Sequence, residues 1–356
     1  MSSSVVTKPA SAVPAGAPQP QLQPAELLMQ VGCGYIASRA LNIAVELNIA
    51  DLLSAGPKPV AELAKTTRTN EDALYRALRA LASVGIFTEV SPRKFALTPA
   101  AELLQRGIPG SFHPMVRWMC DAFHFTTYAD MMHAVKTGET ICDRVLGMPI
   151  FEYFAKDRQE GEVFNHAMTS FSSAVIPAVL EVYDFSSIGT LMDVAGGHGF
   201  VLTSILEKYP QMKGLLFEME HVCEGARDRI ASLDCKGRCQ VVTGDFFKSI
   251  PAGADAIIMK HIIHDWNDEQ ALTILKNCHQ ALSGKPKAKV ILLDAVLPHG
   301  NEPHFGKILD LEMLMLPGGR ERTEEEFRTL FAKAGFQLTR IVPNKSPLSV
   351  VEAERI

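Results

Sequence analysis

The sequence contains no C-x-x-C pair among its seven cysteines and no dense cysteine framework. This absence predicts reduced thiols and a cytoplasmic protein. Cys235 and Cys239 lie near His221 in the sequence, but their spacing is poor for a metal site. We therefore expect no bound metal.

Long apolar runs are also missing, because no uninterrupted run approaches the roughly 18 residues that a membrane helix needs. Residues 1–24 lack the basic start and apolar centre of a secretory signal, and a single Lys without Arg argues against a transit segment. Their Ser, Pro, Ala and Gln bury too little apolar surface to order themselves. We predict a disordered tail and no membrane partner.

The chain has no strong excess of one charge, since its formal net charge is −5 over 356 residues. A mildly acidic balance argues against nucleic acid as the main partner. With 47% hydrophobic and 21% charged residues, the composition is that of a globular protein long enough for two cores.

One glycine-rich stretch, LMDVAGGHGF at residues 191–200, organises what is present. An apolar strand ends in an acid, a tight loop follows, and a helix begins. Glycines let a ligand approach the backbone, and the helix N-terminus attracts a carboxylate or phosphate. The third glycine of the dinucleotide fingerprint is absent, because Leu202 stands there. The pattern acid-x-small-x-Gly-x-Gly resembles the first motif of S-adenosylmethionine-dependent methyltransferases instead.

Residues 189–356 alternate between strand and helix patterns, which predicts an α/β fold with a doubly wound, mainly parallel sheet. The last two strands predict a closing antiparallel hairpin, as in the methyltransferase version of this Rossmann-like sheet. The predicted strands are 190–194, 215–218, 240–243, 256–260, 289–296, 336–342 and 348–352.

Residues 25–110 predict a mostly helical domain of the winged-helix type. The apolar stripe from residue 24 to about residue 53 is too rich for a surface helix and indicates burial against a partner, a second subunit being one candidate. A helix with polar caps from Thr69 and a strand–turn–strand pattern over 86–98 follow. Such a domain also suggests DNA binding through its Arg and Lys residues. Because this domain is joined to a cofactor domain, we favour dimerisation over DNA binding as its role.

Residues 111–188 predict a helical linker rich in aromatic and methionine side chains. Such residues at helical spacing are usually core, but Met adapts to flat rings, and this segment precedes the cofactor domain. We therefore predict that part of it forms the wall of a substrate pocket, together with a residue near the end of the chain. The candidates are Trp118, Phe125, Met131, Phe164, Met168 and Met313.

Polar residues follow the predicted parallel strands, where ligands bind in such sheets. Glu218 ends the second strand and is placed to accept hydrogen bonds from ribose hydroxyls; an exposed strand-end Glu is the alternative. After the third strand, Asp245 and Phe246 suit an adenine ring, although Asp245 is also a common turn residue. His264 follows the fourth strand, and a His there suits proton abstraction. A zinc pair of His264 with His261 lacks a third ligand.

From about residue 25 onward, the chain resembles the small-molecule O-methyltransferases related to caffeate and acetylserotonin methyltransferases, including bacterial natural-product enzymes. Five ordered segments carry the resemblance: 193–199, 217–222, 244–247, 264–266 and 318–323.

The resemblance implies an N-terminal dimerisation domain, S-adenosylmethionine as cofactor, a small aromatic substrate and a homodimer. It places the general base at His264 and two flanking acids at Asp294 and Glu321. The implied cofactor contacts are Asp193, Gly196, Gly197, Gly199, Glu218, Asp245, Phe246, Phe247 and Lys260.

Four positions depart from the family pattern. Ala195 stands where glycine is usual, which is tolerated if φ is negative there. His198 replaces a usual Thr or Ser, and the acids at Glu218 and Asp294 each differ by one methylene. The expected reaction is methyl transfer to a phenolic hydroxyl. The alternatives are a carbon or nitrogen acceptor, a ligand-sensing regulator, and a nonenzymatic partner protein.

Overall fold

The computed structural model describes residues 22–231, 233 and 237–356. Most of the disordered tail predicted for residues 1–24 therefore lies outside the described residues, and so does Cys235. Pro24, the last residue of that predicted tail, already begins a helix.

The N-terminal unit packs helices against a small antiparallel sheet with the order β1-β3-β2. Its own core contains Leu63, Leu78, Phe87 and Phe95. The single helical stretch expected over residues 24–53 is interrupted near Cys33 and at Asn48, which adopts a left-handed conformation. The elements are α1 (Pro24–Gly32), α2 (Gly34–Glu46), α3 (Ile49–Leu53), β1 (Lys58–Pro59), α4 (Val60–Thr67), α5 (Glu71–Ser83), β2 (Phe87–Ser91), β3 (Lys94–Leu97) and α6 (Pro99–Glu102).

The middle segment is helical, as expected. By length and composition its longest helix, α12, meets the minimum for crossing a membrane, but core helices meet the same test. Phe171, Val175 and Val179 of α12 are buried in the main core. The absence of a membrane segment and the cytoplasmic location stay predictions. The helices are α7 (His113–Met119), α8 (Ala122–Tyr128), α9 (Met131–Thr137), α10 (Cys142–Leu146), α11 (Ile150–Lys156) and α12 (Arg158–Val182).

The C-terminal unit is a seven-stranded sheet with the order β6-β5-β4-β7-β8-β10-β9. The first five of these are parallel, and β10 runs antiparallel to both β8 and β9. The strands are β4 (Thr190–Val194), β5 (Lys213–Glu218), β6 (Cys239–Thr243), β7 (Ala256–Lys260), β8 (Lys289–Asp294), β9 (Phe336–Val342) and β10 (Ser349–Arg355).

Within the described residues, five helices connect these strands, and the chain order confirms the expected doubly wound sheet with a closing hairpin. The predicted end of β8 at Val296 was wrong, since β8 ends at Asp294 and Val296 forms an isolated bridge with Arg322. The sheet order reverses between β4 and β7, and ligands bind at such a switch point. The helices are α13 (Phe200–Lys208), α14 (Cys223–Ala231), α15 (Asp268–Ala281), α16 (Phe305–Met315) and α17 (Glu324–Ala334).

Candidate functional site

The glycine-rich loop joins the carboxyl end of β4 to the N-terminus of α13, at the switch point of the sheet. Gly199 caps α13 with a φ of +75°, in the left-handed region that favours glycine. A Cβ on Gly196 would lie 2.5 Å from the Asp193 carboxyl group and from Leu216. A larger residue at position 196 would therefore displace Asp193 or Leu216, so this glycine packs the loop closely onto β4 and β5. The N-terminus of α13 follows the loop, and a helix N-terminus favours a bound anion.

Ala195 does not meet the condition under which alanine is tolerated in this loop. Its φ is +56°, and a left-handed residue other than glycine costs roughly 1 kcal/mol. Its N–H donates to the carbonyl of Phe217 at 2.7 Å, which fixes the loop against β5. The loop therefore keeps the shape of a glycine-rich turn at the expense of local strain.

Two buried carboxylates, Asp193 and Glu218, lie beneath the loop. Glu218 accepts the N–H of Gly197 at 2.9 Å and that of Met219 at 2.7 Å. Burial, and then the charge of Glu218, raises the pKa of Asp193 to about 7. Oδ2 of Asp193 has no hydrogen-bond partner among the described residues. A buried polar atom of this kind is expected to meet a bound ligand or water.

Asp245, Phe246 and Phe247 follow β6 on the same edge of the sheet. Oδ1 of Asp245 accepts the N–H of Phe247 at 2.9 Å, so this residue acts as a turn residue in the protein itself. The two phenyl rings pack edge-on at 4.8 Å, and Phe247 also packs edge-on against Trp266 at 4.7 Å. The edge thus offers a partly exposed carboxylate beside an aromatic cluster.

Lys260 ends β7 with its ammonium group 5.5 Å from the ring of Phe171. Burial lowers the pKa of Lys260 to about 8, although the negative charges of Asp294 and Asp193 act to raise it. The side chain therefore lies between the glycine loop and the histidine cluster described next.

His264 lies in a 3-10 turn, Ile263–Asp265, directly after β7. Its Nδ1 lies 2.6 Å from Oε1 of Glu321, and both side chains are buried. An ionised carboxylate only accepts, so Nδ1 carries the proton and a neutral ring keeps its lone pair on Nε2. Nε2 lies 3.4 Å from Oδ1 of Asp265, and both residues line a cavity.

Two residues that the sequence reasoning did not single out hold this turn in place. The fully buried guanidinium group of Arg322 donates to the carbonyls of Ile263 and Trp266, both at 2.9 Å. The backbone of Gly319 passes so close to the carbonyl of His264 that a Cβ would overlap it. Arg322 and Gly319 thus lock the segment that carries Glu321 onto the segment that carries His264.

Asp294 does not make the hydrogen bond expected from the family resemblance. Its Oδ1 accepts the backbone N–H of His261 at 3.1 Å, and Oδ2 has no partner among the described residues. Aspartate is one methylene shorter than glutamate, which fits its failure to reach the imidazole. Of the two acids, Glu321 therefore orients the ring directly, and Asp294 acts on His264 only through its charge.

His261, which sequence reasoning considered only as half of a zinc pair, packs in a stack of rings. Its imidazole lies 4.4 Å from that of His264 and 5.1 Å from the ring of Phe171, nearly parallel to both. Its φ of +54° is a left-handed conformation, and burial lowers its pKa well below the ordinary value. The structure therefore uses His261 as a neutral platform for His264.

The charges around His264 favour its protonated form. Burial alone would lower its pKa, but the charges of Glu321 and Asp265 and the hydrogen bond to Glu321 raise it to about 9. Burial raises the pKa of Asp265 to about 7 and that of Asp294 to about 6, although the charge of His264 opposes both. The site is built to stabilise an imidazolium ion.

The cavity beside His264 has a largely apolar wall from α7, α11, α12 and α16. Four of the six pocket candidates line it: Trp118, Phe164, Met168 and Met313. Their contact with a substrate stays a prediction. The wall also includes residues outside the six named candidates, because which helices meet at the cavity is decided only in the tertiary structure: Met115, Ile150, Phe151, Phe154, Phe171, Phe305, Leu309, Glu312, Leu316 and Pro317.

The other two pocket candidates do not line this cavity. The guanidinium carbon of Arg39 lies 5.0 Å from the ring centre of Phe125, so Phe125 faces the N-terminal unit. Met131 packs against the edge of the main core without lining the cavity. Within the described ranges, no group of three His, Cys, Asp or Glu side chains is arranged to hold a metal ion.

Comparisons with known proteins agree with this geometry. Residues 128–337 match the O-methyltransferase domain family, and residues 29–107 match the O-methyltransferase dimerisation domain family. Phenazine O-methyltransferase PhzM of Lysobacter antibioticus is 42% identical over 93% of this chain and 96% of its own length. The 8-amino-8-demethylriboflavin N,N-dimethyltransferase of Streptomyces davaonensis is 30% identical over 94% of this chain and 96% of its own length.

Among solved structures, the O-methyltransferase NcsB1 was crystallised with S-adenosylmethionine and 2-hydroxy-5-methyl naphthoic acid. It superposes with a TM-score of 0.76 at 28% identity, covering 90% of this chain and 96% of its own.

Proposed function

The chain belongs to the S-adenosylmethionine-dependent O-methyltransferase family, with a class I methyltransferase fold and an N-terminal dimerisation domain, and we propose that it methylates a phenolic hydroxyl of a small aromatic molecule with His264 as general base. The observation that carries the proposal is the buried His264–Glu321 pair. It leaves Nε2 on the wall of an aromatic cavity.

The proposed role of the His264–Glu321 pair is proton transfer. A free phenol has a pKa near 10, so little of it is ionised at neutral pH. In its neutral form, His264 takes the phenolic proton on Nε2, and Glu321 stabilises the resulting imidazolium through Nδ1–H. Such a base contributes typically about 10²- to 10⁴-fold to the rate. Asp265 and Asp294 add negative charge around the same ring.

The residues at the glycine loop fit S-adenosylmethionine. Asp193 has an unpartnered buried oxygen, Gly197 has open space where a Cβ would stand, and Glu218 keeps unused lone pairs on both oxygens. When bound, the cofactor supplies an electrophilic sulfonium methyl group for direct transfer. Asp245 and the aromatic residues after β6 suit its adenine ring, and Lys260 lies between the loop and the base.

A nitrogen acceptor is the second candidate, since one relative is an N,N-dimethyltransferase. A neutral amine carries its own lone pair and needs no base before it attacks. The paired His264 and Glu321 favour oxygen, because a hydroxyl must lose its proton in the same step. A carbon acceptor has no specific support in the geometry.

We also propose a homodimer through the N-terminal domain. Helix α1 buries none of its residues within the chain, and Leu28 and Val31 are 75% and 73% exposed. Apolar helix faces of this kind mark interaction surfaces, and the matched family is a dimerisation domain. A Leu28→Asp substitution should convert a dimer to a monomer in light scattering. An unchanged mass would contradict the assignment of this face.

The test of the activity is a methyl-transfer assay with labelled S-adenosylmethionine and matched aromatic acceptors that differ only in a hydroxyl, an amino or a methoxy group. Calorimetry with S-adenosylmethionine and with NADH tests the cofactor separately. We expect micromolar binding of the first alone, and label transfer to the hydroxyl compound. Transfer only to the amino compound would favour the second candidate. Binding of neither cofactor would point to Ala195, and to a regulator or partner protein.

A further inference from the structure

We propose that Glu312 is a specificity-determining residue, which favours acceptors that carry an N–H donor or a cationic nitrogen in addition to the reacting hydroxyl. The proposal rests on the proposed function, because the acceptor must bind in the cavity beside His264. Glu312 lines that cavity together with His264 and Asp265. Most of the remaining wall is apolar.

The helix that carries Glu312 does not itself stabilise a negative charge at this position. It lies in the last turn of α16, where the carbonyl end of the helix disfavours a negative charge. Cations, rather than acids, are the side chains that stabilise such a position. The charge is therefore held there by tertiary contacts.

Those contacts come from α8 and the residue before it. Oε1 of Glu312 lies 3.0 Å from Nε2 of His124, and Nδ1 of His124 lies 2.7 Å from Oδ1 of Asp121. The hydroxyl of Tyr128 donates to the other oxygen of Glu312. His124 is buried, with its ring edge-on against Trp118 at 4.6 Å.

The geometry fixes the charge of this group. Both ring nitrogens of His124 face carboxylate oxygens, so both must donate and the ring is an imidazolium ion. The two carboxylates of Asp121 and Glu312 outnumber it by one negative charge. The hydrogen bonds to Asp121 and Glu312 also outweigh burial and raise the pKa of His124 to about 9.

Of the two carboxylates, Glu312 and not Asp121 lines the cavity where an acceptor would bind. The Glu312 side chain is 21% exposed, and each of its oxygens accepts one hydrogen bond and keeps a second lone pair. In an apolar wall, such a carboxylate is best satisfied by a donor on the ligand and repels another carboxylate. Acceptors with an amino group should therefore bind better than those with a methyl group, and carboxylated acceptors worst.

The experiment measures binding without methyl transfer. Three naphthols of similar size, bearing an amino, a methyl or a carboxyl group at the same ring position, are titrated in the presence of S-adenosylhomocysteine. Tryptophan fluorescence reports binding, because Trp118 lines the cavity. We expect the amino compound to bind about tenfold more tightly than the methyl compound, as for a hydrogen bond to a charged group. In Glu312→Gln this preference should fall to within about twofold.

Glu160→Gln is the matched control, because Glu160 lines a neighbouring cavity with Asp121 but not the one beside His264. It should keep the wild-type preference. If Glu312→Gln fails to fold by thermal unfolding, Glu312→Met replaces it in the same titration. An unchanged preference in the Glu312 variant, or no binding of any naphthol, would overturn the proposal.

Two further outcomes separate this proposal from its neighbours. If Glu312→Gln weakens only the binding of S-adenosylmethionine, the carboxylate balances the cofactor charge and the proposal fails. If the wild-type protein shows the expected binding order but transfers no methyl group to any naphthol, the proposal holds and the proposed function fails.

Discussion

Two buried histidines, His264 and His124, are each paired with a glutamate next to the same cavity, yet they are built differently. His264 has Nδ1 bound to Glu321 at 2.6 Å, whereas its Nε2 makes only a looser 3.4 Å approach to Oδ1 of Asp265, and both residues line the cavity. Both nitrogens of His124 are bound to carboxylates. The pKa of each is raised to about 9, in spite of burial, by the acids around it.

The difference shows that a shifted pKa does not identify a base. A general base needs a nitrogen that a substrate can reach, whereas a histidine with both nitrogens occupied can only hold its partners in place. We therefore propose His264, rather than His124, as the group that transfers the proton. His124 positions Glu312, and the variants below separate these two roles.

Removing the accessible imidazole should have the largest effect. In His264→Ala, kcat should fall by about 10²- to 10⁴-fold, because no group remains to take the phenolic proton. Binding of S-adenosylmethionine in calorimetry should persist. The matched control is His124→Asn, which keeps a donor near Glu312 and should keep kcat for a methyl-naphthol within a few-fold. Near-normal turnover in His264→Ala would remove it as the base.

The next largest effect should be a dependence of the free energy of unfolding on pH, to which His124 contributes. Its folded pKa of about 9 lies above the ordinary value of 6.5, so its contribution is complete below about pH 6.5 and disappears as the pH rises through about 9. A shift of that size corresponds to at most about 3 kcal/mol. Denaturant unfolding at pH 6 and pH 9.5 should show this loss together with that of His264, whose pKa is also about 9, and His124→Asn should remove the share of His124. A loss of equal size in the variant would exclude His124 as the source.

Losing the charge of Glu321 should have a smaller effect on rate than losing the ring. Glu321→Gln keeps a hydrogen-bond acceptor for Nδ1 but removes the charge that favours the imidazolium, so kcat should fall by about tenfold. The raised pKa requires that one proton be lost before reaction, so kcat/KM rises with pH toward about 9. In the variant this rise should move to lower pH. An unmoved profile would show that Glu321 does not set the pKa.

The sequence allowed the larger framework to be predicted for physical reasons. Parallel strands such as β4 and β7 are short apolar runs bounded by glycine or acids, and ligands bind where they end. His264 is a candidate because it follows β7 in a loop, and its role as a base stays a prediction. Glu321 was found through the family resemblance, and its contact with His264 agrees with that expectation.

What could not be predicted depends on contacts between distant segments. His124 and Glu312 are 188 positions apart, and no local pattern indicates that they meet. Phe125 and Met131 have the same residue types as the residues that line the cavity, but only the packing of α8 and α9 decides which way they face. The failure of Asp294 to reach His264 depends on the length of one side chain.

The smallest predicted effect comes from Tyr128, which donates to Glu312 but is not part of the proton-transfer pair. Burial and the charge of Glu312 raise its pKa, so it stays a neutral donor. Tyr128→Phe removes this hydrogen bond and should lower the free energy of unfolding by about 1 kcal/mol. Because His124 still holds the carboxylate, kcat and the preference for an amino-naphthol should both stay within about twofold. A large loss of preference would mean that Tyr128, rather than His124, positions Glu312.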